Sequence, residues 1–311
     1  YADSTNGWIP TSDITNALEP AISTTQKGIF AYGNSGSLTA IKNLIGSNGV
    51  IAADVTGVGT AREGPSAATY GEDKGIFCFG NGNKNMVNLV SNSGVVASDV
   101  TGTGTGRVKP AACKYGVDKA IFVYGEGAAG MLSVRNLISN VGVMASDSAA
   151  TGTARFQLAG IAYGGDKAII AFGSHGSTLV SLSNLITNSG VVGSDVTGVG
   201  TARNYIPGAP YGGDKAIVAY GDPGGSFSNL SNLISNVGVV ASDTTGVGTA
   251  RWGPAACGYG GDKAAFAYGQ VGAGTSSLKN LVSNSGVVAS DVSGVGTARR
   301  SPAACGYSLS A

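Results

Sequence analysis

Along residues 254–291, apolar and small residues gather in four short runs, 254–259, 263–268, 277–282 and 287–291, separated by turns rich in Gly, Asn and Ser. Runs this short, bounded in this way, predict β-strands rather than helices. The second run, of the type Lys119-Ala120-Ile121-Phe122-Val123-Tyr124, does not alternate polar with apolar. Both its faces are therefore expected to be buried, as when one sheet stacks on the next.

The four-run unit recurs six times at a period of about 48 residues. An Asp-Lys-Ala-Ile-type element is anchored on Lys27, Lys74, Lys119, Lys167, Lys215 and Lys263. An Asn-Leu-Ile/Val element begins at Asn43, Asn88, Asn136, Asn184, Asn232 and Asn280. A Gly-Val-Val-Ala-Ser-Asp element ends at Asp54, Asp99, Asp147, Asp195, Asp243 and Asp291, and eight residues later come Arg62, Arg107, Arg155, Arg203, Arg251 and Arg299. Four strands per unit at this period predict an all-β fold, a closed six-bladed β-propeller with four antiparallel strands per blade. The first blade lacks an innermost strand and the last unit leaves one over at 302–307, so this C-terminal strand is expected to complete the first blade beside 28–32. Such a ring has no open edge. The propeller is expected over 27–311, with 1–26 as an N-terminal attachment segment and a short helix at 12–21.

Composition narrows the chemistry. The net charge is +1 and only 12% of residues are charged, which argues against a nucleic-acid or membrane footprint. No apolar run reaches the ~20 residues of a membrane span. Twenty-three of the 37 charged residues stand at repeat positions, including the turn acids Asp73, Asp118, Asp166, Asp214 and Asp262. Residues copied into every unit are expected to build the unit. Each Asp is expected to pair with the Arg eight positions on, and each turn Asp to cap backbone N–H groups. Cys113, Cys257 and Cys305 share one repeat position and, with Cys78, are expected to be packing residues rather than a disulfide or metal framework. The recurring Thr-Gly-Val-Gly-Thr precedes no helix and reads as a turn, not a phosphate loop. No cofactor, no metal and no catalytic constellation is expected; the single histidine, His175, reads as a solvated loop residue, and nothing pairs Glu63, Glu126 and Asp222 as glycosidase acids.

What breaks the repeat is confined to two places. The loops between second and third strands (34–39, 81–85, 126–132, 174–180, 222–228 and 270–276) vary, and so do the residues just after each Arg. Up-and-down strand order puts both on one end of the ring. The expected binding face is therefore Glu63, Lys109, Phe156, Tyr205, Trp252 and Arg300 with the loop residues Glu126, His175 and Asp222, its aromatics exposed near the channel mouth.

The strings Gly213-Asp214-Lys215-Ala216-Ile217, Asn232-Leu233-Ile234-Ser235-Asn236 and Gly238-Val239-Val240-Ala241-Ser242-Asp243 through Gly248-Thr249-Ala250-Arg251 resemble a kelch-like repeat of virion and tail-fibre-type proteins of tailed bacteriophages. The resemblance covers 27–307, six times over. The third innermost strand, 156–163, and the short second unit depart from it. It implies a non-enzymatic structural or adhesion protein of a virus particle. Residues 1–26 would meet other virion proteins, and the loop face would meet a host-surface glycan or protein. A secreted carbohydrate-binding lectin of propeller form is the alternative.

Overall fold

The computed structural model describes residues 26–308, together with the backbone of a small antiparallel pair, Ala2–Asp3 with Gly7–Trp8. The helix expected at 12–21 and the attachment role of the segment before Gln26 lie outside the described residues. Everything described is β structure, in antiparallel sheets. No described helix is long and apolar enough to cross a membrane.

Each repeat supplies one sheet. The sixth is Ala255–Tyr259, Lys263–Ala267 and Lys279–Val282, paired in that order. The second and third also hold a fourth strand, Val100–Thr101 and Ser148–Ala149. Innermost strands are rich in Ala, Gly and Cys, and second strands are buried on both faces; Ile121 and Phe122, neighbours on opposite faces, are fully covered. The first sheet takes its innermost strand from the C-terminus. Ala303–Tyr307 pairs with Lys27–Ala31, from Ala303↔Ala31 to Tyr307↔Lys27. The four cysteines are free and buried, and burial pushes their thiols up.

Six apolar clusters lie between consecutive sheets, one of them joining sixth-sheet residues such as Tyr268 to first-sheet Phe30 and Ile45. The turns after the innermost strands are also linked in order. The N–H groups of Gly71, Gly116, Gly164 and Gly212 donate to Asp118, Asp166, Asp214 and Asp262 of the next turn. Gly260 then donates to Gln26, and Ser308 to Asp73, so the neighbour relations return to their start.

The fourth run departs from expectation. Instead of a continuous strand at 287–291, it touches its neighbour at Val282↔Val288 and Lys279↔Val292. Between these contacts the outer run has one residue more than its partner, which is a β-bulge. The same slip separates Ile45↔Ile51 from Lys42↔Val55 and Ile186↔Val192 from Ser183↔Val196. The physical reason is the buried Asn of the third strand. Asn280 Nδ2 donates to the Ala289 carbonyl at 2.9 Å and to Asp291 Oδ1 at 3.0 Å, taking a place a ladder bond would fill.

The expected pairing of each Asp with the Arg eight residues later is corrected. Arg62 leaves the first sheet and is buried against the second. Its Nη2 donates to Asn88 Oδ1 at 2.6 Å, and Nη1 lies 3.8 Å from Asp99 rather than pairing with Asp54. Thr60 donates its N–H and hydroxyl to Asp99, which also accepts from Asn88. The chain thus latches each sheet to the following one. Arg299, Thr297, Asn43 and Asp54 make the equivalent junction between the chain's two ends. All six Arg are fully buried, and each guanidinium carbon lies over an aromatic ring of the preceding sheet, at 3.9 Å for Arg62 on Tyr32. A buried cation is tolerated only with such partners. Those aromatics (Tyr32, Phe79, Tyr124, Phe172, Tyr220 and Tyr268) hold φ between 59° and 68°, a left-handed conformation costing about 1–2 kcal/mol. Their packing on Arg, and hydroxyl bonds such as Tyr32 to the Val58 carbonyl, offset that cost. The turn acids also differ from expectation: Asp73 Oδ1 chiefly takes the ammonium of the next residue, Lys74, at 2.8 Å.

Candidate functional site

Two residues after each Arg the chain turns left-handed, at Gly64, Lys109, Gln157, Tyr205, Gly253 and Ser301, with φ from 47° to 64°. The turn draws these backbones together. Gly64 N–H donates to the Ser301 carbonyl, Lys109 to Gly64, Gln157 to Lys109, Gly253 to Tyr205, and Ser301 to Gly253. Beneath them Pro65, Pro110, Leu158, Ile206, Pro254 and Pro302 form an apolar collar around a cavity of about 130 Å³.

At five of the six turns the residue just before pairs with the start of a variable loop: Arg300 with Asn34, Val108 with Glu126, Phe156 with Ser174, Asn204 with Asp222, Trp252 with Gln270. The irregular residues therefore do gather at one end of the sheets. Five join in one string. Lys109 Nζ sits 4.1 Å over the Tyr205 ring, and Tyr205 packs on Trp252 with centroids 4.3 Å apart and planes tilted by 56°. Arg300 lies 5.5 Å over Trp252 and donates to Glu63 at 3.3 Å and to Gln270 Oε1 at 2.8 Å. Asn34 Nδ2 holds the other Glu63 oxygen at 2.9 Å.

The electrostatics follow from crowding cations over half-buried aromatics. Burial pulls the Lys109 ammonium down to about 8, with Arg300 acting the same way and Glu63 and Glu126 opposing. Burial raises the Tyr205 phenol, and Glu63 adds to that rise.

Several expectations are corrected here. Tyr205, Trp252 and Phe156 are half-buried, not exposed, because neighbouring loops close on them. Phe156 makes no ring contact with the string, and its backbone is engaged with Ser174. His175 is exposed in a two-stranded loop, donating from Nδ1 to the Ala154 carbonyl at 2.7 Å. Asp222 shapes its own loop, accepting from Gly224 and Gly225 N–H, each at 2.8 Å. Glu126 reaches the string only through its charge on Lys109 and Tyr205. Asn34 and Gln270 were missed, although both begin variable loops, which was the available signal. Among the described residues no group of three His, Cys, Asp or Glu could hold a metal ion.

No protein-family model matches the chain, and no curated protein matches it.

Proposed function

We propose that the six sheets are blades of a closed six-bladed β-propeller, and that the protein is a non-enzymatic binding module carried on a bacteriophage particle to meet the host surface. Support for closure comes from the pairing of Ala303–Tyr307 with Lys27–Ala31 and from the turn links that return to their start. The Arg299–Asn43 bond adds to it.

The observation that carries the binding reading is the string Lys109–Tyr205–Trp252–Arg300–Glu63. All five residues stand where the repeat is broken, at one end only. Half-buried Tyr205 and Trp252 beside Arg300 are the residue types enriched in recognition hot spots. Glu63 is held by Arg300 and Asn34, which suits it to positioning rather than to proton transfer. The particle context rests on the repeat's resemblance to virion proteins. The described part of that assembly would be the display end, with residues 1–26 reaching other virion proteins.

A secreted carbohydrate-binding lectin is the second reading, favoured by the aromatic pair beside the amides of Gln270 and Asn34. Cell adsorption and a glycan array separate the two. The virion reading expects wild-type protein to adsorb to bacterial cells and Trp252→Ala to lose adsorption. Saccharide binding without cell adsorption favours the lectin, and binding to neither sinks both.

A further inference from the structure

The cavity at the other end of the innermost strands, about 170 Å³, is built on different chemistry. One repeat position lines it six times, as Thr69, Lys114, Ala162, Pro210, Gly258 and Gly306. Lys114 is the one charged side chain among its lining residues. Its ammonium has no hydrogen-bond or ion-pair partner among the described residues, and burial pulls it below the ordinary lysine range. Two carboxylates act on it from the turns. Asp118 is engaged by Lys119 at 3.0 Å, and Glu72 is exposed.

A second feature of the same cavity points to what Lys114 takes. Gly165, Gly213 and Gly261 line it and share one left-handed conformation, with φ of 81°, 81° and 80°. At Gly261 the N–H donates to the carboxamide oxygen of Gln26 at 3.2 Å. That sp² oxygen shows where an acceptor sits against this turn. Gly165 and Gly213, both exposed, have no acceptor for the same N–H among the described residues. Their turns follow Lys114 in the next two sheets.

We propose that this cavity binds a small carboxylate, its oxygens taking the Lys114 ammonium and the N–H groups of Gly165 and Gly213, as the Gln26 oxygen takes that of Gly261. One ammonium among uncharged walls balances one negative charge, which favours a monocarboxylate over a phosphate dianion.

The test is an NMR titration of the full chain with ¹³C-acetate, with inorganic phosphate as the second arm. Wild type should bind acetate saturably and more tightly than phosphate. Lys114→Ala should weaken acetate by about tenfold or more, the size of one charge-assisted hydrogen bond. Lys114→Thr is the second variant. Both replacements are side chains the frame already carries at this position, as Ala162 and Thr69. Lys84→Ala, outside the cavity, should bind as wild type does. Equal acetate binding in the Lys114 variants, no saturable binding to wild type, or tighter binding of phosphate would each overturn the proposal.

Discussion

The latches between the sheets and the mouth string use the same kinds of residue to opposite ends. In a latch, Arg203 is fully buried, and Asn232, the Thr201 carbonyl, the Tyr220 carbonyl and the Phe172 ring take up its guanidinium. Only two residues downstream, Tyr205 is half-buried and packs against Lys109 and Trp252, each found at its repeat position in one copy only. A buried charge needs partners, so the bonds to Asn and to the Thr carbonyl recur at all six latches. A side chain at the left-handed turn or just before it answers to no frame partner and is free to differ between copies. Chemistry is therefore concentrated at the two positions after each Arg.

The contrast can be broken in five ways, from the largest effect down. Removing residues 302–311 deletes the strand that pairs with Lys27–Ala31 and should abolish cooperative unfolding. A sharp calorimetric transition near the wild-type midpoint would mean the ends do not hold the frame. Next, Arg203→Ala leaves the buried Asn232 without its donor and the partly exposed Asp243 without its cation, and should cost about 3–5 kcal/mol in urea unfolding. Trp252→Ala, only half-buried, should cost about 1–2 kcal/mol while removing binding. Equal losses at the two sites would erase the distinction.

Two smaller effects are set by pH. For the latch acids Asp54, Asp99, Asp147, Asp195, Asp243 and Asp291, burial works against ionisation. Hydrogen bonds from Thr and Asn and the charge of the latch Arg outweigh it, so each carboxyl is held below the usual range. A depressed folded pKa gives stability that is complete above the unfolded value, about 4, and lost as pH falls through the folded one. Melting temperature should stay level from pH 7 to about 5 and then drop, less steeply in Asp195→Asn. At the mouth, Lys109 gives a slope of the same sign in a higher pH window, because its folded pKa is also depressed. With Lys109 near 8, the unfolded chain binds more protons between about 8 and 10, so stability should rise slightly there. Ligand binding that uses the ammonium should weaken across the same range, and Lys109→Arg should hold it level.

Much of the frame was legible because the chain states it six times. Strand-length runs, their glycine turns and the spare strand at 302–307 gave the sheets and the pairing of the two ends. Two features were hidden because they depend on geometry that spacing does not encode. The fourth run kept its apolar residues, yet Asn280 displaced a ladder bond and bulged it. Asp54 and Arg62 are neighbours in sequence, yet the connection between them carries Arg62 to the next sheet, where Asp99 and Asn88 wait. At the mouth, sequence grouped nine residues by their failure to repeat, and packing joined five of them. Phe156 and His175 stayed apart because backbone pairing fixed each to its own loop.

By itself, then, the sequence determined the all-β class, the six units, the buried second strands and the end at which the copies differ. These follow from periodicity and local turn chemistry, which act over a few residues. Tertiary structure decided which Asp meets which Arg, why an aromatic accepts a left-handed backbone beside each latch, and which irregular side chains touch. Those choices are made between sheets, where the partner that satisfies a buried group lies some 40 residues away or at the other end of the chain.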